Sequence, residues 1–434
     1  MEGLEELPRD EPVGELPPQP WMDAEETQAV MAALSADGAS PRFVGGCVRD
    51  SLAHRPVTDI DIATPDPPEK VIELLQRAGL RALPTGIGHG TVTALAGGRG
   101  FEITTLRRDV ETDGRHARVQ FTDDWVADAS RRDFTINTLS CRSDRMIYDP
   151  FGGIADLAEG RILFVGDPMK RIDEDVLRLL RFFRFFAHFG YPPADTPALN
   201  ACRVQAPRLK DLSGERICAE LMKLLSATDP MPALVLMQGA GVLSALLPDV
   251  ADLGRLRALV FLESRGVRRP SIAVDPLRRL AALLKPDADH VSDVAQRLRL
   301  SNAQADRLGE MAAPDAVPDR GMDMPTQRRL LYGLGAERFR DLTLLGWAHA
   351  RADEGYAPAG DNERWMAMLD LADEWAIPDF PLRGEDVVAS GVSPGPEVGR
   401  RLAALRDWWT EQDFRPGREE LLERLGRDPS LRSG

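Results

Sequence analysis

The hydrophobic pattern of this chain changes period once, near Leu157, and that change limits the folds open to it. Ahead of it lie short apolar runs punctuated by glycine: Arg42 to Val44, Asp59 to Ala63, "TGIGHGTVTAL" (85–95) and "FEITTLR" (101–107). Such runs read as strands and tight turns. They alternate with helical stretches at Cys47–Ala53 and Pro68–Gly79. A further helix is expected to about Ala36, begun by an Asp23/Glu26 capping box and ended by Gly38. Beyond Leu157 the spacing is helical to the end, most clearly in "DEDVLRLLRFFRFFAHFG" (173–190) and "LSGERICAELMKLL" (212–225). The fold class is therefore α+β: a small mixed α/β domain followed by an elongated all-helical remainder. The expected divisions are an acidic, Pro-rich flexible tail over 1–22, the α/β domain over 23–150, and helical segments over 151–225, 226–350 and 351–434.

Composition removes several classes. No run of about 18 apolar residues is present, so no membrane span is expected. The N-terminus has no basic stretch leading into an apolar one, so a secretory signal is not expected. Cys47, Cys141, Cys202 and Cys218 lie far apart without CxxC spacing, a pattern of free thiols in a reducing cytoplasm. Six histidines with no HxxxH or His-Asp cluster speak against a zinc hydrolase or an HD-type phosphohydrolase. The net charge of −15 argues against indiscriminate nucleic-acid binding. It is unevenly spread, however: residues 1–26 hold nine acids against Arg9, while 99–145 and 161–184 are rich in Arg. Local fields, not the sum, select partners.

The stretch "FVGGCVRDSLAHRPVTDIDIAT" (43–64) concentrates the chemistry. Asp59 and Asp61, two apart on an expected strand, leave the same face, while Ile60 and Ile62 turn to the core. Paired carboxylates make a hard oxygen site suited to Mg²⁺ and able to serve two metals during phosphoryl or nucleotidyl transfer. Gly45-Gly46 at a strand–helix turn lets backbone approach a phosphate, and Arg49 one turn on can reach the same group. Asp50 is expected to be a structural partner of a nearby Arg. An exposed DxD pair and an ordinary glycine turn are the plainer alternatives for each motif alone.

Taken in order, "GGCVRD…DIDIAT", "TGIGHGTVTAL", "EITTLRRD", "RRDFTINTL", "EDVLRLLRFFRF" and "LSGERICAELMKLL" resemble the head and neck of the class II tRNA nucleotidyltransferase and bacterial poly(A) polymerase family, over residues 42 to about 225. The resemblance implies a nucleotidyltransferase head (23–150), a neck (151–225), a body (226–350) and a tRNA-binding tail (351–434). It implies Mg²⁺, with Mn²⁺ as a practical alternative, held by Asp59 and Asp61. Glu102 reads either as a third carboxylate or as a strand-end acid near an Arg. Residues 107–121 resemble the family's flexible loop; the alternative is a solvated hairpin. Arg132 matches a nucleotide-contacting position, and Arg181 and Arg184 are implied to help hold nucleotide beside Gly45, Gly46 and Arg49. Asn137 is expected to stabilise backbone, and Phe182, Phe183, Phe185 and Phe186 to be core.

Asp175 and Arg178, three apart, are expected on one helix face. The carboxylate accepts and the guanidinium donates. Cytosine and adenine each offer an amino donor beside a ring-nitrogen acceptor, whereas uracil and guanine show the reverse order. Such a pair would select C and A without a template; an intrahelical salt bridge is the alternative. The implied activity is template-independent addition of C and A from CTP and ATP to the 3′ end of tRNA, with pyrophosphate released. The implied partners are the tRNA acceptor arm, ATP and CTP, with neither DNA nor a membrane. An A-adding enzyme or poly(A) polymerase of the same family, and an inactive RNA-binding relative, are the rivals.

Overall fold

The computed structural model describes residues 9–113, 116–250, 253–354 and 360–427. Residues 1–8 of the expected tail and Gly114 at the centre of the expected loop lie outside the described residues. The chain forms two compact units, Met1–Pro248 and Asp249–Gly434.

The first unit opens with a correction. Residues 12–22 are not a flexible tail. Strand β1 (Pro12–Glu15) pairs antiparallel along a sheet edge, and Leu16, Trp21 and Met22 are buried with Phe43, Val48 and Ile62. Acidic and Pro-rich composition suggested disorder, but these three large apolar side chains supply the burial that offsets the entropy of ordering. Helix α1 (Pro20–Asp23) follows, then α2 (Glu25–Ser35). The expected capping box is absent: Ala24 holds the cap position of α2 and Asp23 closes α1.

Next come β2 (Arg42–Val44), α3 (Gly46–Leu52), β3 (Asp61–Thr64), α4 (Pro68–Arg77), β4 (Arg81–Gly86), β5 (Thr91–Ala96) and β6 (Arg99–Thr105). The α4 helix starts on a proline, whose missing N–H costs nothing there, and buries Val71, Leu74 and Leu75 at helical spacing. A separate two-stranded ribbon, β7 (Arg107–Asp113) with β8 (His116–Phe121), occupies the expected loop. Helix α5 (Trp125–Ser130), capped by the Asp124 carboxylate, leads to β9 (Ser140–Cys141) and β10 (Met146–Tyr148). The eight-stranded sheet has the order β1-β10-β9-β2-β3-β6-β5-β4. Within it β3 and β6 are parallel, with Asp61 opposite Glu102 and Ile62 opposite Ile103.

Helices α6 (Gly153–Glu159), α7 (Pro168–Glu174), α8 (Leu177–Phe189), α9 (Thr196–Gln205), α10 (Gly214–Leu225), α11 (Met231–Gly239) and α12 (Val242–Leu246) complete the unit. Phe182, Phe183, Phe185 and Phe186 are all buried core, and they seat α8 on Phe134 and Phe164 through ring contacts of 5.2 and 5.9 Å. The expected single helix over 173–190 is broken at Asp175, whose backbone is extended between α7 and α8. The expected division at 225 falls inside this unit, because α11 packs on α8.

Every regular element among the described residues of the second unit is helical. It comprises α13 (Leu253–Phe261), α14 (Pro276–Leu283), α15 (Ala288–Arg297), α16 (Asn302–Ala312), α17 (Met324–Leu334), α18 (Ala336–Glu354), α19 (Asp361–Glu374), α20 (Gly384–Ala389), α21 (Pro396–Glu411) and α22 (Arg418–Arg427). The expected division at 350 falls within α18. A π-helical turn after α13 places Glu263 between Arg278 (2.9 Å) and Arg279 (2.6 Å), and Asp341 takes Arg278 at 2.7 Å. No helix among the described residues is long and apolar enough to cross a membrane.

Candidate active site

The turn between β2 and α3 needs its glycine. Gly45 has a φ of 66°, a left-handed conformation that side chains resist. A Cβ there would lie 3.1 Å from the Arg132 guanidinium. The strand β3 then carries the acids. Its ladder begins at Asp61, and Asp59 lies just ahead of it, a shift of two residues from the expected start. Burial alternates as expected: Asp59 is exposed, Ile60 and Ile62 are buried, and Asp61 lies between those extremes.

Parallel register brings Glu102 of β6 directly beside Asp61. Burial first, then the Glu102 carboxylate, push the Asp61 carboxyl up to about 6, against the pull of Arg132. Glu102 has no ion pair with an arginine among the described residues. Crowded carboxylates with a raised pKa are a donor set that a cation would relieve. Among the described residues, however, no group of three or more His, Cys, Asp or Glu side chains converges to hold a metal unaided. The adjacent Asp61 and Glu102 carboxylates are themselves a set that fits Mg²⁺, which takes one or two carboxylates and completes its shell with water and substrate phosphate.

Beside these acids opens a cleft of about 520 Å³. Seven arginines (49, 131, 132, 178, 181, 184 and 216) and three aspartates (61, 133 and 175) line it, with Gly45, Gly46, Asn137, Leu177 and Phe185. In a chain of net charge −15, this is a concentrated positive field. Of the sequence-predicted residues, Gly45, Gly46, Arg49, Asp61, Arg132, Asp175, Arg178, Arg181 and Arg184 meet here, while Asp59 and Glu102 do not line the cleft.

Each arginine is held by a partner. Arg49 lies beneath the cleft, bonded to the Asp50 carboxylate at 2.8 and 2.9 Å and to Asn137 Oδ1 at 2.6 Å. Asp50 is thus the structural partner expected. Asn137 differs from expectation. Its side chain joins Arg49 to Asp133, donating to Asp133 Oδ1 at 2.9 Å. Asp133 accepts from Arg181 Nε at 2.6 Å. Burial opposes charge on Asp133, yet Arg181 and the Asn137 amide hold its carboxyl below the usual range. Asp128, within the short helix α5, accepts from Arg131 Nε at 2.8 Å and Arg132 Nη2 at 3.2 Å. Arg184 pairs with buried Glu220 of α10 and stands 4.0 Å over the Phe185 ring.

Asp175 and Arg178 are not on one helix, and their side chains do not pair: only the Arg178 amide donates to the Asp175 carbonyl, at 3.0 Å. The Asp175 carboxylate accepts from Arg216 of α10 at 2.7 Å and from the Leu177 amide at 3.1 Å. Arg178 bonds Glu174, the Arg171 carbonyl at 3.0 Å and the Arg131 carbonyl at 3.2 Å. Both face the cleft. Sequence reasoning missed Arg216, Glu220 and Asp128. Their partners are far along the chain or around a turn, and only the charge types in "LSGERICAEL" hinted at α10.

A nucleotide-sized basic cleft beside paired carboxylates on a mixed sheet defines a nucleotidyltransferase-type head. Residues 41–163 match the family model described as the poly A polymerase head domain. Residues 195–253 match the one described as the probable RNA and SrmB-binding site of polymerase A. The mitochondrial CCA tRNA nucleotidyltransferase 1 of Danio rerio is 36% identical over 392 residues, 88% of this chain and 86% of that protein. The CCA-adding enzyme of Limosilactobacillus reuteri is 38% identical over 395 residues, 88% of this chain and 91% of that protein. The crystal structure of the Bacillus stearothermophilus CCA-adding enzyme in complex with CTP superposes with a TM-score of 0.74 at 26% identity, covering 96% of this chain and 99% of that one. The chain belongs to the CCA tRNA nucleotidyltransferase family.

Proposed function

We propose that this chain adds C and A from CTP and ATP to the 3′ end of tRNA without a nucleic-acid template. The observation that carries the reading is the arginine-lined cleft that joins the Gly45-Gly46 turn to Asp61 and to the Asp175–Arg178 region. The 3′-hydroxyl oxygen of the tRNA forms a bond to the α-phosphorus. The bond from that phosphorus to the bridging oxygen breaks, and pyrophosphate leaves with the electron pair. The hydroxyl proton is lost to solvent.

Asp59 and Asp61, with Glu102 beside them, would hold Mg²⁺, which supplies an acidified hydroxyl and charge neutralisation of the phosphates. Arg132 and Arg49 flank the glycine turn, and with Arg181 and Arg184 they bind and orient the triphosphate. Asp175 accepts from the amino group of cytosine or adenine, and Arg178 donates to the neighbouring ring nitrogen. Arg216 and the Leu177 amide hold the Asp175 carboxylate, and Glu174 holds Arg178, so that each is oriented to meet the base. The four free thiols accord with a reducing compartment, and we place the protein in the cytoplasm.

The test uses purified protein, Mg²⁺ and three trimmed tRNAs ending before CCA, after C and after CC, each given CTP, ATP or both. Stepwise addition of C, C and A with a stop is expected. Addition of A alone to the CC-ended tRNA would make it an A-adding enzyme, and a long A ladder a poly(A) polymerase. Binding of tRNA without any addition would overturn the enzymatic reading.

A further inference from the structure

The ordered N-terminal segment has a consequence for the cleft on the other side of the sheet edge. Arg42 of β2 is only 6% exposed, yet it carries a full charge. It is sandwiched between the rings of Trp125 (4.1 Å) and Tyr148 (3.6 Å). Its two terminal nitrogens donate to the Asp10 carboxylate at 2.5 and 2.9 Å. Asp10 is held there because β1 pairs with β10, Glu15 bonds Arg145 at 3.1 Å, and the Leu16 amide bonds the Arg145 carbonyl at 2.8 Å. A small cavity of about 10 Å³ separates this pair from the cleft wall. Two acids line that cavity: Asp10, and Asp128, which holds Arg131 and Arg132.

We propose that Asp10 and Arg42 are positioning residues for nucleotide binding: the Asp10 carboxylate takes both terminal nitrogens of the Arg42 guanidinium and so leaves Asp128 free to hold Arg131 and Arg132 in the cleft wall. The inference rests on the nucleotide-cleft reading given above. A buried guanidinium without a carboxylate is costly and turns to the nearest anion. Once Asp10 is lost, that anion is Asp128, across the shared cavity. Asp128 then shares its oxygens with Arg42, and Arg132 loses its carboxylate partner, keeping only the Nη1 bond to the Asn137 carbonyl beside Gly45. The acidic N-terminal segment therefore acts on the site through one buried cation, not through its net charge.

The experiment measures CTP and ATP binding to the full-length protein by equilibrium dialysis, together with kcat and nucleotide KM on a tRNA ending in CC. Asp10→Ala is expected to weaken nucleotide binding about tenfold, the worth of one charge-assisted hydrogen bond, with kcat at saturating nucleotide nearly unchanged. The double variant Asp10→Ala/Arg42→Met removes both charges and is expected to recover binding to within about twofold of the parent, since nothing then competes for Asp128. Rescue by a second deletion is the signature that a merely structural strap would not give. If Asp10→Ala does not fold, the isosteric Asp10→Asn takes its place in both variants. Parental binding in the single variant, or equal impairment in single and double variants, overturns the proposal. If the parent protein binds neither nucleotide, the cleft reading itself fails. If the parent binds and adds nucleotide while the Asp10 variant matches it, only the strap's role fails.

Discussion

At the residue scale, the cleft is a set of charges arranged so that none is alone. Asp133 illustrates the design: it is buried, but Arg181, Asn137 and the Phe134 amide all donate to it. Because its carboxyl is held below the usual range, its contribution to stability is complete above the unfolded value of 3.8 and is lost as the pH falls through its lower native value. Asp133→Asn is accordingly expected to cost about 3 kcal/mol at neutral pH by leaving Arg181 poorly paired, with the difference from the parent shrinking as the pH falls below 3.8. Denaturant titrations of both proteins across that range check this. Asp61 is the opposite case, a carboxyl pushed up to about 6 by burial and Glu102. Asp61→Asn is expected to lower the rate of C and A addition roughly 10³-fold, about 4 kcal/mol, while CTP and ATP still bind. Single-turnover assays with saturating nucleotide, beside dialysis binding, separate the two effects.

At the scale of elements, breaks matter more than continuity. The α7–α8 interruption at Asp175 turns that carboxylate toward Arg216, where an unbroken helix would have set it beside Arg178. Arg216→Met is expected to relax discrimination against UTP and GTP by about tenfold, because Asp175 loses its fixed orientation. Misincorporation of UTP on a tRNA lacking CCA reads this directly. A second tight junction lies where α6 begins against the 3₁₀ turn Thr135–Asn137. A Cβ on Gly153 would meet the Thr135 carbonyl at 2.3 Å, with backbone on both sides. Gly153→Ala is expected to destabilise by about 1–3 kcal/mol and to shift Asn137, weakening nucleotide binding at the same time. Thermal melts and CTP dialysis on the same preparation test both halves.

At the scale of the whole molecule, every group named in the cleft belongs to the unit Met1–Pro248. The unit Asp249–Gly434 has its own buried ionic centre in Glu263, Arg278, Arg279 and Asp341. Glu263→Ala removes the carboxylate that two buried guanidinium groups share, leaving Arg278 with Asp341, and is expected to cost that unit about 3 kcal/mol. Calorimetry should then show one transition lowered, while CTP at about 100 times its Kd still raises the other by about 2.7 kcal/mol. A single transition that falls with the variant and no longer responds to CTP would refute this separation.

Much of this was open to a reader of the sequence. The period change near Leu157, the glycine turn and the DxD strand follow from rules that act over a few residues, and so does the burial of Ile60, Ile62, Phe182, Phe183, Phe185 and Phe186. Local spacing sets these because backbone sterics and side-chain periodicity are short-range. What spacing could not decide was which charge meets which. Asp175 met Arg216 at 41 residues' separation and Arg42 met Asp10 at 32, and an acidic, Pro-rich leader became a sheet edge. Asp61 found Glu102 through parallel strand register alone. Such pairings are set by the packing of whole elements and by the cost of leaving a buried charge unmatched, and both exist only once the chain has folded.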